Sequence, residues 1–216
     1  MSIGAPFAGS VAVPRVIAQG RRVRLRTFGR ADMRYLSQWA DSPFVESMVG
    51  SDFLYQYKHL YHRRNDLFLD LMVRDGSQLN ALIVPTTGDG EPVGFVRLFS
   101  INLLHGYAFL ETVIADPRSL RKGWGVEASR LIAVYAVDTL GIRRIEAKAY
   151  AYNRLSQNAL RRNGFRLEGA LREACFHEGK YWDILVFGII KDEIEEQRKK
   201  DGIRFDGDAP GQETGS

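Results

Sequence analysis

The stretch RKGWGVEASR, residues 121–130, combines the residue types that can hold an anion at the start of a helix. Arg121 and Lys122 provide adjacent positive charges, and Gly123 and Gly125 follow at a spacing of two. A helix N-terminus exposes unpaired N–H groups and carries about half a positive charge, so it attracts anions. Glycines there let the backbone approach a phosphate without an obstructing Cβ. The stretch predicts a pyrophosphate site that needs no metal, although the pattern is also typical of a simple turn.

Two other kinds of phosphate-binding loop do not fit this stretch. A P-loop requires the pattern Gly-x-x-x-x-Gly-Lys-Ser/Thr, which these residues do not follow. A dinucleotide-binding fold requires a third glycine, and Ser129 stands at that position. The phosphate interpretation therefore depends on what the rest of the chain builds around the glycines.

Hydrophobic periodicity predicts strands and helices that alternate along the chain. Helices are predicted after Asp32, over residues 53–72, from the glycine stretch to Gly141, and from about Ser156 to Arg162. Strands are predicted over residues 23–27, 79–84, 93–101, 107–115, 145–151, 165–171 and 181–190. Because hairpins dominate both ends of this order, we expect a mixed sheet rather than a doubly wound parallel one.

The composition is that of an ordinary globular protein. Of the 216 residues, 45% are hydrophobic and 26% are charged, and the formal net charge is +4. No apolar run reaches the roughly 20 residues that a membrane span needs, and the N-terminus lacks the pattern of a secretory signal. These features predict a cytoplasmic protein without a membrane partner.

Metal and nucleic-acid functions find little support in the residue inventory. Cys175 is the only cysteine, which excludes an internal disulfide and a multi-thiolate zinc site. His59 and His62 lie three apart without a third ligand nearby, so we expect surface histidines and no metal. The basic clusters at residues 21–26, 63–64 and 161–162 accompany no nucleic-acid-binding motif, and solvated faces are the more common explanation.

Several motifs follow one another in a characteristic order: DPRSLRKGWG, a long helix, IRRIEAKAYAYN, NRLSQNALRRNGF and REACFHEGKYWDILVFGII. Together they resemble the GNAT superfamily of acyl-CoA-dependent N-acyltransferases, most closely its ribosomal-protein N-terminal acetyltransferase-like branch. The resemblance covers residues 22–192 and is carried mostly by residues 107–190. It implies an α/β (α+β) GNAT fold, a single mixed, mostly antiparallel twisted sheet of six to seven strands with helices on both faces.

We expect this domain to span residues 21–195. Residues 1–20 carry weak signals and are predicted to be a flexible N-terminal segment. Residues 196–216 mix Gly, Pro and acids with few apolar anchors, which predicts a disordered tail.

The resemblance implies that acetyl-CoA is the acyl-donor co-substrate. Its pyrophosphate would bind the glycine stretch, and its pantetheine arm would bind the preceding strand. In the family pattern a Gln or Arg stands where this chain has Leu120, with Arg118 and Arg121 as neighbouring cations. The residues expected to bind the cofactor are Val113, Ala115, Arg121, Lys122, Gly123, Trp124, Gly125, Val126, Asn153 and Ser156.

Acyl transfer to an amine needs a proton acceptor, because alkyl amines have pKa values of about 10. Glu111 is the best candidate, since it lies on the strand that would carry the acyl group, but it could equally form a cross-strand ion pair. The resemblance implies that an amide near Val113 stabilises the acyl oxygen, that Ser156 protonates the leaving thiolate and that Asn153 orients the cofactor. Either of the last two residues could instead cap a helix. Leu160 excludes the tyrosine acid that some related enzymes use at that position.

The predicted activity is N-acetyl transfer by direct attack of a primary amine in a ternary complex. No base is expected beside Cys175, which disfavours a ping-pong mechanism through this thiol. The first two helices and a loop around Ser42 to Gly50 would grip the acceptor, with Tyr152 and His177 either facing the cleft or packing. The resembling branch suggests a peptide N-terminal α-amino group. The alternatives are a small-molecule amine (an aminosugar, a polyamine or an antibiotic) and a non-catalytic CoA-binding sensor. A homodimer is expected only by family analogy.

Overall fold

The computed structural model describes residues 13–48 and 50–201 of the chain. Within these residues, eight strands form one mixed sheet in the order β1-β2-β3-β4-β5-β6-β8-β7. This confirms the predicted fold class, with one strand more than expected. The strands are β1 (Val16–Gln19), β2 (Val23–Thr27), β3 (Leu79–Pro85), β4 (Gly94–Asn102), β5 (Tyr107–Ile114), β6 (Arg144–Tyr150), β7 (Arg166–His177) and β8 (Lys180–Ile190).

Strands β5 and β6 run parallel and separate after a short stretch of pairing. Paired residues join them from Tyr107↔Arg144 to Leu110↔Ala147. Beyond this stretch β5 stays paired with β4, and β6 stays paired with β8, in both cases to the end of the strand. The two strands therefore part and open a cleft in the sheet.

Helices cover both faces of the sheet, which buries two separate cores. The first core lies under α5 and includes Leu25, Val96, Leu98, Leu131 and Ile132. The second lies under the helices that follow β2 and includes Leu36, Trp39, Phe53, Phe95 and Val113. The helices in the described residues are α1 (Met33–Ala40), α2 (Pro43–Met48), α3 (Asp52–Gln56), α4 (Asn65–Arg74), α5 (Trp124–Leu140), α6 (Arg154–Arg162) and α7 (Lys191–Asp201).

Helix α5 begins and ends at glycines, as its sequence predicts. The N-cap Gly123 has φ 80° and the C-cap Gly141 has φ 67°, both in the left-handed region that favours glycine. Between these caps Ala128, Leu131 and Ile132 are fully buried against the sheet. Burial of such a side chain stabilises the fold by roughly 1.5–3 kcal/mol, so the position of α5 over the sheet is firmly determined.

Three local predictions need correction. Strand β1 lies within the segment predicted to be flexible, because it pairs with β2 and buries Ala18. Helix α7 runs past residue 195 to Asp201, anchored by the buried Ile194. The predicted loop around residues 42–50 contains α2 instead. Residues 1–12 and the predicted tail from residue 202 onward lie outside the described residues.

In the part of the chain that the structure describes, no helix is long and apolar enough to cross a membrane.

Candidate active site

The cleft between β5 and β6 exposes backbone groups of β5. These are not the groups of Val113 and Ala115, the two residues predicted to bind the pantetheine arm. The amide of Ala115 donates to Val93 O at 2.9 Å, on the β4 side. Backbone groups alternate in direction along a strand, so Val113, paired with Phe95 in β4, also turns its amide away from the cleft. The amides of Thr112 and Ile114 therefore face the cleft. The amides of Val113 and Ala115 are therefore not available in the cleft, which corrects the predicted contacts at these two residues.

The glycine stretch forms a tight turn into α5. Arg121 (φ 61°) and Gly123 (φ 80°) both adopt left-handed backbone conformations. Glu127 is the residue whose amide reaches Gly123 O, at 3.0 Å, so the amides of Trp124, Gly125 and Val126 precede the intrahelical hydrogen bonds. These three amides have no intrahelical partner, as an anion site requires, and their binding of a pyrophosphate stays a prediction.

Gly125 leaves room where β5 meets α5. A Cβ placed on it would lie 3.3 Å from Ile114 Cγ1 and 3.7 Å from the Thr112 methyl group. The missing side chain thus keeps α5 close to the β5 residues whose amides face the cleft. A pyrophosphate and a pantetheine arm fit this cradle, because bare backbone lines both parts of it.

The side chains around the turn have assignable partners. Trp124 packs against the first core, and the Lys122 ammonium lies 4.5 Å from the centroid of its ring, which supports the packing role of this tryptophan. Arg118 pairs with Asp116 at 3.2 Å, and this carboxylate has a lowered pKa because it accepts hydrogen bonds from the Arg118 backbone and side chain. Arg118 is therefore paired outside the turn, although its side chain is exposed. Whether Arg118 or Arg121 compensates for Leu120 stays a prediction.

Glu111 forms the cross-strand ion pair that the sequence analysis left open. Its Oε2 lies 2.5 Å from Arg97 Nε, and the two residues are opposite each other in the β4–β5 ladder. The pair is largely buried, with side-chain exposures of 11% for Arg97 and 17% for Glu111. The guanidinium also lies 4.6 Å from the Phe53 ring centroid and 4.4 Å from that of Phe99. Glu111 therefore lies on the sheet face that carries the second core, with Oε2 held by Arg97.

Three side chains at the end of β6 and just after it hold the last residues of α2 and the link to α3. Tyr150 donates its hydroxyl to Gly50 O at 3.2 Å, and Tyr152 donates to Ser47 O at 3.3 Å. Asn153 Nδ2 donates to Met48 O at 2.7 Å. These contacts bring the acceptor-side helices against the edge of the cleft.

Asn153 also caps α6, because its Oδ1 accepts from the Ser156 amide at 3.0 Å. Asn153 is only 5% exposed, and both ends of its side chain are engaged in protein contacts. This confirms the capping alternative for Asn153. Ser156 lies half-buried in the first turn of α6, on the sheet face that carries α5. Its role as proton donor stays a prediction.

Replacing Asn153 should separate its two contacts. Asn153→Ser keeps an N-cap oxygen but removes the donor to Met48 O, whereas Asn153→Ala removes both. We expect Ala to lower the free energy of unfolding by about 1 kcal/mol more than Ser does. We also expect both variants to raise the acceptor KM, since both release the α2–α3 connection. Urea denaturation and steady-state kinetics measure these effects. Equal stabilities of the two variants would contradict the capping role.

Aromatic rings line the acceptor side beyond β6. The Tyr152 ring stacks on Tyr150 at 5.2 Å and on His177 at 4.1 Å, and it meets Trp182 edge-on at 5.5 Å. Burial raises the pKa of Tyr150, and Cys175, Asp52 and Glu111 raise it further. Burial and then Cys175 likewise raise the pKa of Tyr152. Both hydroxyls therefore stay protonated at neutral pH.

Sequence reasoning missed two residues next to the glycine turn. Glu127 accepts a hydrogen bond from the Arg22 amide, and the Arg22 guanidinium donates to Lys122 O. These two contacts hold the β1–β2 turn against the start of α5. The signal for Glu127 is an acid in the first turn of a helix, which is ordinarily a simple helix-stabilising residue. Among the described residues, no group of three His, Cys, Asp or Glu side chains could hold a metal ion.

Comparison with known proteins identifies relatives over most of the chain. The family model described as "Acetyltransferase (GNAT) domain" matches residues 22–166. A spermidine N(1)-acetyltransferase of Escherichia coli K12 is 25% identical over 190 residues, covering 83% of this chain and 92% of that protein. An uncharacterized N-acetyltransferase, p20 of Bacillus licheniformis, is 26% identical over 175 residues, covering 80% of this chain and 94% of that protein.

A solved structure shares the fold. Spermidine N-acetyltransferase from Vibrio cholerae, in complex with CoA and spermine, superposes with a TM-score of 0.70 at 19% identity. The match covers 80% of this chain and 98% of that one. The expected resemblance is thus confirmed for the superfamily. The relatives named here by their substrate are spermidine acetyltransferases, so the ribosomal-protein branch is not specifically supported.

Proposed function

Because the chain belongs to the GNAT acetyltransferase family and catalyses acetyl-CoA-dependent N-acetyl transfer, we propose that its acceptor is a small polycationic amine of the polyamine class. This replaces the peptide α-amino group favoured by the sequence with the small-molecule alternative. The similarity to spermidine acetyltransferases supports the choice, and the chemistry around Tyr150 carries it.

The observation that carries the proposal is the combination of carboxylates and ring faces at one end of the cleft. Asp52 and Glu111 both act electrostatically on Tyr150, whose hydroxyl contacts Gly50 O. An ammonium group is stabilised by carboxylates and by aromatic faces. The chain's own Lys180 ammonium lies 3.8 Å from the Trp182 ring centroid, so a ring of this cluster already binds a cation.

Acetyl-CoA supplies the thioester acyl group, and the residues of the cradle would hold it. The amides at the start of α5 would bind the pyrophosphate, and those of Thr112 and Ile114 would bind the pantetheine arm and the acyl oxygen. We propose the Thr112 amide, which lies nearer the point where β5 and β6 part, as the donor to that oxygen. This fixed donor stabilises the negative charge that develops there during attack.

The reaction joins the amine nitrogen to the acyl carbon and breaks the carbon–sulfur bond. The amine must lose a proton, and Oε1 of Glu111 can accept it, directly or through a water, because Arg97 occupies Oε2. The departing sulfur needs a proton in return. We assign that role to the Ser156 hydroxyl, at the start of α6, which takes a replacement proton from solvent as it donates its own.

Thiol release with a panel of acceptors tests the proposed substrate class. We expect kcat/KM for spermidine and spermine to exceed that for peptides with free α-amino groups by about tenfold or more. Aminosugars should react no better than the peptides, because they present fewer positive charges. Faster acetylation of a peptide α-amine would contradict the polyamine proposal while leaving the acetyltransferase activity intact.

Asp52→Asn tests the electrostatic part of the proposal. The KM for spermidine should rise about fivefold with little change in kcat, because an exposed carboxylate contributes up to about 1 kcal/mol. Asp66→Asn is the matched control, since Asp66 also lies in the first turn of a helix but pairs with Arg30. Equal KM values for the two variants would exclude Asp52 from acceptor binding.

A further inference from the structure

The turn between β1 and β2 is fastened to the first turn of α5 by one carboxylate. Glu127 Oε1 accepts from the amide of Arg21 at 2.8 Å. Its Oε2 accepts from the amides of Arg22 at 2.9 Å and Val23 at 3.1 Å. Gly20 belongs to the same contact, because a Cβ on it would lie 2.6 Å from Glu127 Oε1. The N-terminal hairpin therefore has a defined position next to the phosphate-binding turn.

This position places the Arg22 guanidinium on the glycine turn itself. Arg22 Nη1 donates to Lys122 O at 3.1 Å. A Cβ on Gly123 would meet the same Nη1 atom, so the guanidinium lies directly against this glycine. The left-handed backbone at position 123 is what requires glycine there.

The guanidinium keeps most of its hydrogen-bonding capacity. Within the part of the chain that the structure describes, its hydrogen bond to Lys122 O is the only one its side chain makes, and Arg22 is exposed. An arginine carries five N–H donors in a planar fork that matches two phosphate oxygens. Donors therefore remain available beside the amides at the start of α5.

We propose that Arg22 is a phosphate-binding residue of the cofactor site and that its guanidinium pairs with the pyrophosphate of CoA. It supplies the positive charge that Leu120 does not provide, and it comes from a hairpin outside the glycine stretch. Within the stretch, Arg118 pairs with Asp116 and the Lys122 ammonium lies over Trp124, whereas Arg121 is a second exposed cation at the turn.

Glu127 acts in this arrangement as a positioning residue. Its carboxylate accepts three amide hydrogen bonds from the β1–β2 turn, which stabilise its negative charge. The carboxylate therefore faces this turn rather than the anion site. It thereby fixes the backbone from which Arg22 extends. The proposal rests on the family's use of acetyl-CoA and is independent of the acceptor proposed above.

Calorimetric titration of the full chain with CoA, without any acceptor, tests the role of Arg22. We expect Arg22→Gln to raise the Kd about 10- to 100-fold, the usual effect of losing hydrogen bonds between charged groups. Arg21→Gln is the matched control, because it removes the same charge from the neighbouring residue, and we expect a change of less than about twofold. Equal Kd values for the two variants would overturn the proposal.

Two further titrations locate the contact. With 3′-dephospho-CoA the penalty of Arg22→Gln should be undiminished, whereas its disappearance would assign Arg22 to the 3′-phosphate and overturn the pyrophosphate pairing. Glu127→Ala should weaken CoA binding about fivefold in the parent chain and have little further effect in Arg22→Gln, as expected for residues that act together. Additive losses, measured on variants that melt cooperatively, would contradict the positioning role.

Discussion

Gly125→Glu is expected to weaken CoA binding by about 100-fold or more, which corresponds to about 2.7 kcal/mol. A side chain at this position must grow toward Ile114 and Thr112, since its Cβ would already lie 3.3 Å from Ile114 Cγ1. The new carboxylate would then stand among the α5 amides and repel the phosphates. Calorimetric titration with CoA measures the loss directly.

Gly125→Ala serves as the uncharged control for this prediction. It adds the same Cβ without a charge, so its effect should be roughly tenfold smaller, given that Ile114 must shift by only a few tenths of an ångström. Thermal melting of both variants verifies that α5 still packs on the sheet. An unchanged CoA affinity in a folded Gly125→Glu variant would refute the assignment of the glycine turn.

Glu111→Gln should lower kcat by about 100-fold, the usual contribution of a general base. The dependence of kcat/KM on pH should also differ from that of the parent if Glu111 is the base. A pH series with saturating acetyl-CoA measures both effects. A turnover rate and a pH profile like those of the parent would remove Glu111 from the base role.

The ion pair with Arg97 requires a second variant for this prediction. Glu111→Gln leaves the largely buried guanidinium without its counter-charge, which is destabilising in itself. The double variant Arg97→Gln/Glu111→Gln removes both charges, so it should melt closer to the parent while its kcat stays low. Recovery of kcat in the double variant would show that Glu111 acts only through the stability of the pair.

The fold was largely predictable because its signals are local. Gly141 marks the end of α5, and the alternation of Ile145, Ala147 and Ala149 marks β6, since each depends on neighbouring residues alone. Strand β1 was missed because four residues with a single buried side chain carry too little alternation. It exists because β2 offers it an edge to pair with.

The sequence predicts the glycine turn of the candidate site, but it does not predict which backbone and side-chain atoms face that turn and the cleft. The unpaired amides at the start of α5 follow from the glycines at 123 and 125, whereas the direction of the amides at Val113 and Ala115 depends on the register with β4. Arg22 and Glu127 were missed because they are 105 residues apart and meet only through the fold. Glu111 was ambiguous for the same reason, since Arg97 is identifiable as its partner only once the strands are aligned.

The short stretch of pairing between β5 and β6 affects the stability of the protein. Past Leu110 and Ala147 the sheet stops pairing with itself, and main-chain groups there must be satisfied by water or by another molecule. A co-substrate that inserts between the strands can complete their hydrogen bonding only in the native chain. Because it binds the native state alone, it raises the free energy of unfolding. At a concentration of 100 times its Kd, such a molecule adds about 2.7 kcal/mol to the free energy of unfolding. The resistance of this protein to denaturation should therefore follow the supply of the molecule that it consumes.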